Sequence, residues 1–399
     1  MHFYGRMIYP MRIAYEGSTF EMMPLGGITR YFHELISRLD AEDEPCVQLP
    51  NGYKLPPLHP NLTTATVPTD FPFNHKTTQR LFARYWRRWR WPKNQQALAD
   101  FHADLHHWTY HCGLCFRPIR RGLVPNVITL YDFIFEDYPE FDPRGKHREW
   151  LKNAIQTADL ILCISEYTHN QLCDRYPKAS HKSVITPLGN SFSTITSSTL
   201  PKPLIDRPFI LSVGKRTGYK NFVTLWKAWK QVREREEDLM LVAVGPNMTE
   251  SEANNLGIST EEKGFLSLGS VSDGILKSLY EHCQAFVFPT RMEGFGLPAL
   301  EAMESGCVVL ASNCGALKEV CGGAAYHFDP DDIDSLTELV KMAMHLAPAD
   351  RKRAISRGKQ RASNYSWDQN AKQTTEAYRK IIQSSPLKSI SYKARASEP

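Results

Sequence analysis

The sequence has no run of eighteen apolar residues, so no stretch of it reads as a membrane-spanning helix. Charge of one sign is not in excess. Lys and Arg number 48 against 43 Asp and Glu, a net of +5 that does not by itself call for nucleic acid. Cysteine is sparse and odd in number, with nine scattered thiols, which argues against a disulfide framework and suits a reducing cytoplasm. The Cys-x-x-Cys at Cys112 and Cys115 has no second pair beside it, so no metal or redox centre is expected there. The opening MHFYGRMIYPMRIAYEG lacks the apolar core of a signal peptide. Met7 and Met11 are alternative starts to Met1, because the first clear strand begins near Met11. What remains is a globular composition, 42% hydrophobic over 399 residues, with ample core and room for two to three domains.

Apolar runs alternate with helical patterns along most of the chain. Residues 11–16, 127–132, 158–165 and 184–186 read as buried strands of a first half. Gly26-Gly27-Ile28 precedes a helix over 29–36, with Tyr31, Phe32, Leu35, Ile36 and Leu39 at helical spacing. A second half restarts with the strand Phe209–Val213 and Gly214, then a helix bearing Trp226 and Trp229. Strands at 239–245, 265–271, 285–288 and 307–311 follow, with Asp273 expected to cap the helix after the second of them. The reading is α/β, with a first domain over 1–195, a linker over 196–208 and a second domain over 209–365. A last helix over 366–383 precedes a basic, polar tail, 384–399, that is expected to be disordered.

The chemistry concentrates in residues 291–306, RMEGFGLPALEAMESG. Gly294 and Gly296 lead into a helix with Pro298 in its first turn and Gly306 just past its end. The first amides of a helix have no internal partners and suit a phosphate or a sugar hydroxyl. Glu293 precedes this helix and Glu301 lies within it, among Ala299, Leu300, Ala302 and Met303. By spacing alone, these are either ligand-binding acids or a capping acid and a solvated one. Lys215, Arg216 and Lys220 follow a strand and precede a helix, where cations either neutralise a diphosphate or form a solvated turn. Asp132 ends a buried strand, facing a ligand crevice or capping the next segment.

The string Glu293-Gly-Phe-Gly-Leu-Pro-Ala-Leu-Glu301 closely resembles the Glu-x7-Glu motif of the retaining glycosyltransferases of family 4, the group 1 glycosyl transferases. The resemblance covers most of the chain and is strongest over 209–330. It implies a GT-B fold, two Rossmann-like domains facing across a cleft, with the last helix crossing back to the first. It implies that Glu293 meets the donor sugar and Glu301 the ribose. The amides of Phe295, Gly296 and Leu297 would face the sugar and its diphosphate. Gly214, Arg216 and Lys220 match the segment that clamps the pyrophosphate, and the backbone at Gly269 to Val271 borders the base. The loop holding Gly26, Gly27 and Arg30 would lie across the cleft from the donor phosphates. The family often has a histidine where this chain has Tyr131, so that role does not carry over, and Asp132 becomes the candidate for positioning sugar or acceptor.

The implied reaction is transfer of a hexose from a nucleotide sugar to a hydroxyl with retention, with Glu293, Asp132, Arg216 and Lys220 as its catalytic set. No nucleophile for a covalent intermediate stands out, which favours a same-face mechanism. No metal is expected, because Arg216 and Lys220 can stand in for one. A polysaccharide-cluster subgroup shares the later arginine spacing and the Tyr219-Lys220-Asn221 that follows, and points to GDP-mannose. The acceptor would be a surface glycan or a lipid-linked sugar at the inner membrane face. The alternatives are a UDP-sugar transferase, a nucleotide-sugar 2-epimerase and a non-catalytic sugar-nucleotide-binding subunit.

Three further features stand apart from this site. The stretch at 80–93 combines Leu81, Phe82, Tyr85, Trp86 and Trp89 with five arginines and Lys93. It is either a helix packed on the core or a basic amphipathic helix on an anionic membrane surface, and it carries no nucleic-acid-reading motif. His106, His107 and His111 lack companions spaced for a metal site. The Asp-x-Asp at Asp329 and Asp331, followed by Asp332, reads as capping of the next helix.

Overall fold

The computed structural model describes residues 9–22, 26–50, 54–67, 100–111, 124–259 and 261–385. The basic aromatic stretch 80–93, the pair Cys112 and Cys115, Met1, Met7 and residues 386–399 lie outside them. Two sheets organise the described chain, and every pairing recorded within them is parallel.

The first sheet contains β1 (Arg12–Tyr15), β2 (Glu44–Pro50), β3 (Thr63–Val67), β4 (Leu105–Trp108), β5 (Asn126–Leu130), β6 (Leu160–Cys163) and β7 (Ser183–Ile185). Its strand order is β3-β2-β1-β4-β5-β6-β7. The second contains β8 (Phe209–Val213), β9 (Met240–Val244), β10 (Phe265–Gly269), β11 (Ala285–Phe288), β12 (Val309–Ser312) and β13 (Tyr326–Phe328). Its order is β10-β9-β8-β11-β12-β13. In each sheet the chain builds outward from its first strand, then returns to build on that strand's other side. The reversals fall between β1 and β4 and between β8 and β11. Connections diverge at such a point and leave a crevice at the carboxyl ends of the strands.

Continuous apolar strands such as β9 and β11 are buried along their full length, as strands covered by helices on both faces must be. The helix Phe222–Arg233 covers one face of the second sheet with Trp226 and Trp229, and the Trp229 indole donates to the Leu239 carbonyl at 3.2 Å. On the first sheet the helix Gly27–Ile36 buries Tyr31, Phe32, Leu35 and Ile36.

The segment expected as a linker is docked rather than free. Leu204 is buried and the Ser198 amide donates to the Gly274 carbonyl at 3.0 Å; just before the segment, Lys277 Nζ donates to the carbonyls of Phe192 and Ile195 at 3.0 and 2.6 Å. The chain crosses itself where residues 189–190 meet 365–367. Asn190 donates to the Tyr365 carbonyl at 3.2 Å, and a Cβ on Gly189 would lie 2.1 Å from the Trp367 nitrogen. The helix Trp367–Ser384 then lies on the first half. Asn370 donates to the carbonyls of Thr186 and Pro187, and the Tyr378 hydroxyl meets His107 Nδ1 at 2.5 Å.

Candidate active site

The unit after β11 is a helix, Leu297–Glu304, with Pro298 in its first turn and no side-chain cap at its start. Gly296 is its N-cap at φ +112°, and a Cβ there would press to 2.3 Å from the Leu317 side chain, so only glycine suits this position. Gly306 follows the helix in the left-handed region, as its place in the sequence suggested.

Glu293 receives Lys220 Nζ at 2.5 Å. Lys220 ends a short turn, Gly218–Lys220, after β8. The next residue, Asn221, adopts φ +53° and donates to the carbonyls of Pro289 and Pro330 at 3.1 and 2.6 Å. That side chain ties the lysine turn to the end of β11 and brings Lys220 to Glu293.

Asp132 approaches from the other half, at the end of β5. It accepts from the Ile134 amide at 3.0 Å. Burial pushes its carboxyl up to about 6, and the charge of Glu293 adds to that, against the Ile134 amide and Lys220. The two halves touch at Gly294. Its carbonyl accepts from Ser165 Oγ at 2.8 Å, and a Cβ on it would lie 1.7 Å from the Tyr131 carbonyl oxygen. Gly27, opening its own uncapped helix, faces Leu297 at 3.8 Å from where a Cβ would stand. Two helix N-termini therefore confront each other across the cleft, and both favour an anion between them.

Glu301 forms a second cluster and is 7% exposed. The Tyr280 hydroxyl donates to its Oε2 at 3.3 Å, and Arg30 Nη1 donates to its Oε1 at 2.7 Å. Burial raises its pKa to about 7, opposed by Arg30 and assisted by Asp273. One expectation changes here. Asp273 is not the helix cap: Ser272 is, accepting from the Ile275 amide, and Asp273 instead receives Arg30 Nη2 at 2.7 Å. Arg30, in the loop expected across the cleft from the donor phosphates, pairs with Glu301 and Asp273.

Arg216 is 2% exposed, with Nε on Glu252 at 2.8 Å and Nη2 on the Pro246 carbonyl at 2.5 Å. Its Nη1 is buried and has no partner among the described residues. Gly214, at φ +122°, has open space where a Cβ would stand, and Val271 is half-buried beyond β10.

Other sequence candidates belong to the framework. The Tyr131 hydroxyl donates to the Thr109 carbonyl at 3.0 Å. His107 is held on both ring nitrogens, by Tyr378 and by Thr129 Oγ1 at 2.9 Å. Asp332 caps the helix Ile333–Met344 by accepting from the Ser335 amide at 2.9 Å. Sequence reasoning missed Asp273 and Tyr280 as neighbours of Glu301. Neither carries a local signal, since both meet it only through packing of separate helices.

The family model for group 1 glycosyl transferases matches residues 200–361, and that for glycosyltransferase family 4 matches residues 25–189. The chain is 28% identical over 289 residues to O-antigen chain mannosyltransferase B of Escherichia coli, covering 69% of this chain and 75% of that one. It is 28% identical over 256 residues to the serotype-specific mannosyltransferase WbdA of Escherichia coli, covering 60% of this chain. That match spans 31% of WbdA, about a third of its length. Among solved structures it is similar to sucrose-phosphate synthase from Thermosynechococcus elongatus, at a TM-score of 0.74 and 19% identity, covering 94% of this chain and 100% of that one. The fold is GT-B.

Proposed function

The chain belongs to the group 1 glycosyl transferases, and on that premise we propose that it moves mannose from GDP-mannose, with retention, onto a hydroxyl of a surface glycan or lipid-linked sugar. The observation that carries this reading is the meeting of Lys220, Glu293 and Asp132, from both halves, beside two uncapped helix N-termini. The mannosyltransferase names of the relatives support the choice of sugar.

In this mechanism the bond from the anomeric carbon to the diphosphate oxygen breaks as the acceptor oxygen attacks from the same face. The acceptor's proton passes to the leaving phosphate oxygen. Lys220, Arg216 and the amides of Phe295, Gly296 and Leu297 offset the charge that develops there. Glu293 holds the donor sugar's hydroxyls, Glu301 the ribose, and Asp132 positions sugar or acceptor. These charges serve without a metal ion, so EDTA should leave the rate unchanged. In this proposal the reaction occurs at the cytoplasmic face, and the basic aromatic stretch 80–93, which lies outside the described residues, has an affinity for anionic lipid. Co-sedimentation that does not depend on the anionic lipid content of vesicles would refute that affinity.

The test is a thermal-shift panel of GDP, UDP, ADP and their sugars, followed by transfer assays. A ligand that binds only the native state raises the melting temperature. GDP and GDP-mannose should be the stabilising pair. Stabilisation by UDP compounds alone would replace the donor and keep the transferase, whereas no response to any nucleotide would remove the donor site. Lys220→Ala should lower transfer on the order of 10²–10³-fold, the usual cost of losing one preorganised charge-stabilising group. Unchanged transfer in that variant would take Lys220 out of the mechanism.

A further inference from the structure

Arg30 belongs to the first half, in the opening turn of the helix Gly27–Ile36, yet both terminal nitrogens of its guanidinium serve the second half. Nη1 reaches Glu301 and Nη2 reaches Asp273, each at 2.7 Å, with the guanidinium carbon 5.6 Å from the centre of the Phe192 ring. The other polar groups facing Glu301 come from the second half: the carboxylates of Asp273 and Glu304 and the hydroxyl of Tyr280. Among the described residues, the cation paired with Glu301 therefore comes from across the cleft.

We propose that Arg30 is a donor-positioning residue that reaches across the cleft to hold the Glu301 carboxylate for the ribose of a nucleoside diphosphate. This rests on the reading of Glu301 as the acid that meets the nucleoside. A ribose diol offers two hydroxyl donors. An ionised carboxylate accepts both, whereas a protonated one must donate from one of its oxygens. Burial already holds Glu301 near neutrality with Arg30 in place, and without Arg30 the neighbouring carboxylates push it further up. Nucleoside recognition then depends on the two halves being together.

The experiment is calorimetric titration with GDP and, in parallel, UDP, between pH 6 and pH 9. The proteins are wild type, Arg30→Gln, Arg30→Lys and Glu301→Gln. Affinities are read as variant-to-wild-type ratios, so titration of the phosphates cancels. Arg30→Gln should weaken binding about fivefold at pH 7 and hardly at all at pH 9, as expected when a carboxyl pKa near 7 rises by about a unit. Arg30→Lys should recover most of the loss. Weakening by one factor at every pH would reduce Arg30 to packing, and tighter binding in Arg30→Gln would make it a competitor of the ribose. Either result overturns the inference. Should Glu301→Gln weaken binding and flatten its pH dependence while Arg30→Gln matches wild type, only this inference fails. Should Glu301→Gln bind like wild type with the same pH dependence, the reading of Glu301 itself fails.

Discussion

Gly294→Ala would test whether the two halves must meet as they do here for transfer to occur. A methyl carbon at this position would lie 1.7 Å from the Tyr131 carbonyl oxygen and 3.1 Å from Asp132 Cβ. Side-chain carbons essentially never come within 3.0 Å of such an atom, so the contact must open by about 1.3 Å or more. The φ of Gly294 is not in the left-handed region, which makes the effect one of space and not of backbone preference. The hydrogen bonds from Ser165 Oγ and Thr168 Oγ1 to the Gly294 carbonyl, at 2.8 and 3.4 Å, would lengthen with it. Each half keeps its own core, so the loss in unfolding free energy should be only about 1–2 kcal/mol, the worth of those bonds. The proposed catalytic groups, however, come from both halves. A misplacement of about 1 Å costs on the order of 10²-fold, and kcat should fall by that much. The assay is initial-rate transfer from GDP-mannose, with thermal unfolding run alongside. Gly323→Ala is the control, because no atom of the described residues beyond its chain neighbours lies within 4 Å of the added carbon, and its kcat should stay at the wild-type value. A Gly294→Ala enzyme with full kcat would show that this closed contact is not the reacting arrangement.

Further predictions concern pH and the last helix. The pKa of Asp132 is raised in the folded state, from 3.8 to about 6. Its contribution to stability is therefore fully present below pH 4 and is lost as pH rises through 6. Asp132→Asn keeps an acceptor for the Ile134 amide, and should melt higher than wild type at pH 8 by up to about 3 kcal/mol of stability. The advantage should vanish by pH 4, and an equal gain at both pH values would refute the assignment. Tyr378→Phe removes the hydroxyl that meets His107 and leaves a buried ring nitrogen unpaired, at a cost of about 1–3 kcal/mol. A urea midpoint unchanged from wild type would deny that this contact anchors the returning helix.

Much of this protein is written in local pattern. Continuous apolar strands alternating with amphipathic helices announce parallel sheets, because each residue's face depends only on neighbours a few positions away. The helix after β11 was legible from Pro298 and Gly306, and Asp332 was legible as a cap, for the same reason. The Glu293–Glu301 spacing was legible as a family motif. What the string could not specify is which distant groups share a site. Lys220 and Glu293 are 73 positions apart, and Arg30 and Glu301 are 271 apart. Their meeting depends on how the halves are set against each other by the crossing at Gly189 and Trp367 and by the return of the last helix. Asp273 looked like a cap because an acid before a helix usually is one, yet Ser272 took that task and left Asp273 free to meet Arg30. The sequence alone determined the two sheets and the acids proposed for the site. Only the tertiary structure decided the partners of those acids, because burial and cross-cleft charge are properties of the packed halves and not of either segment alone.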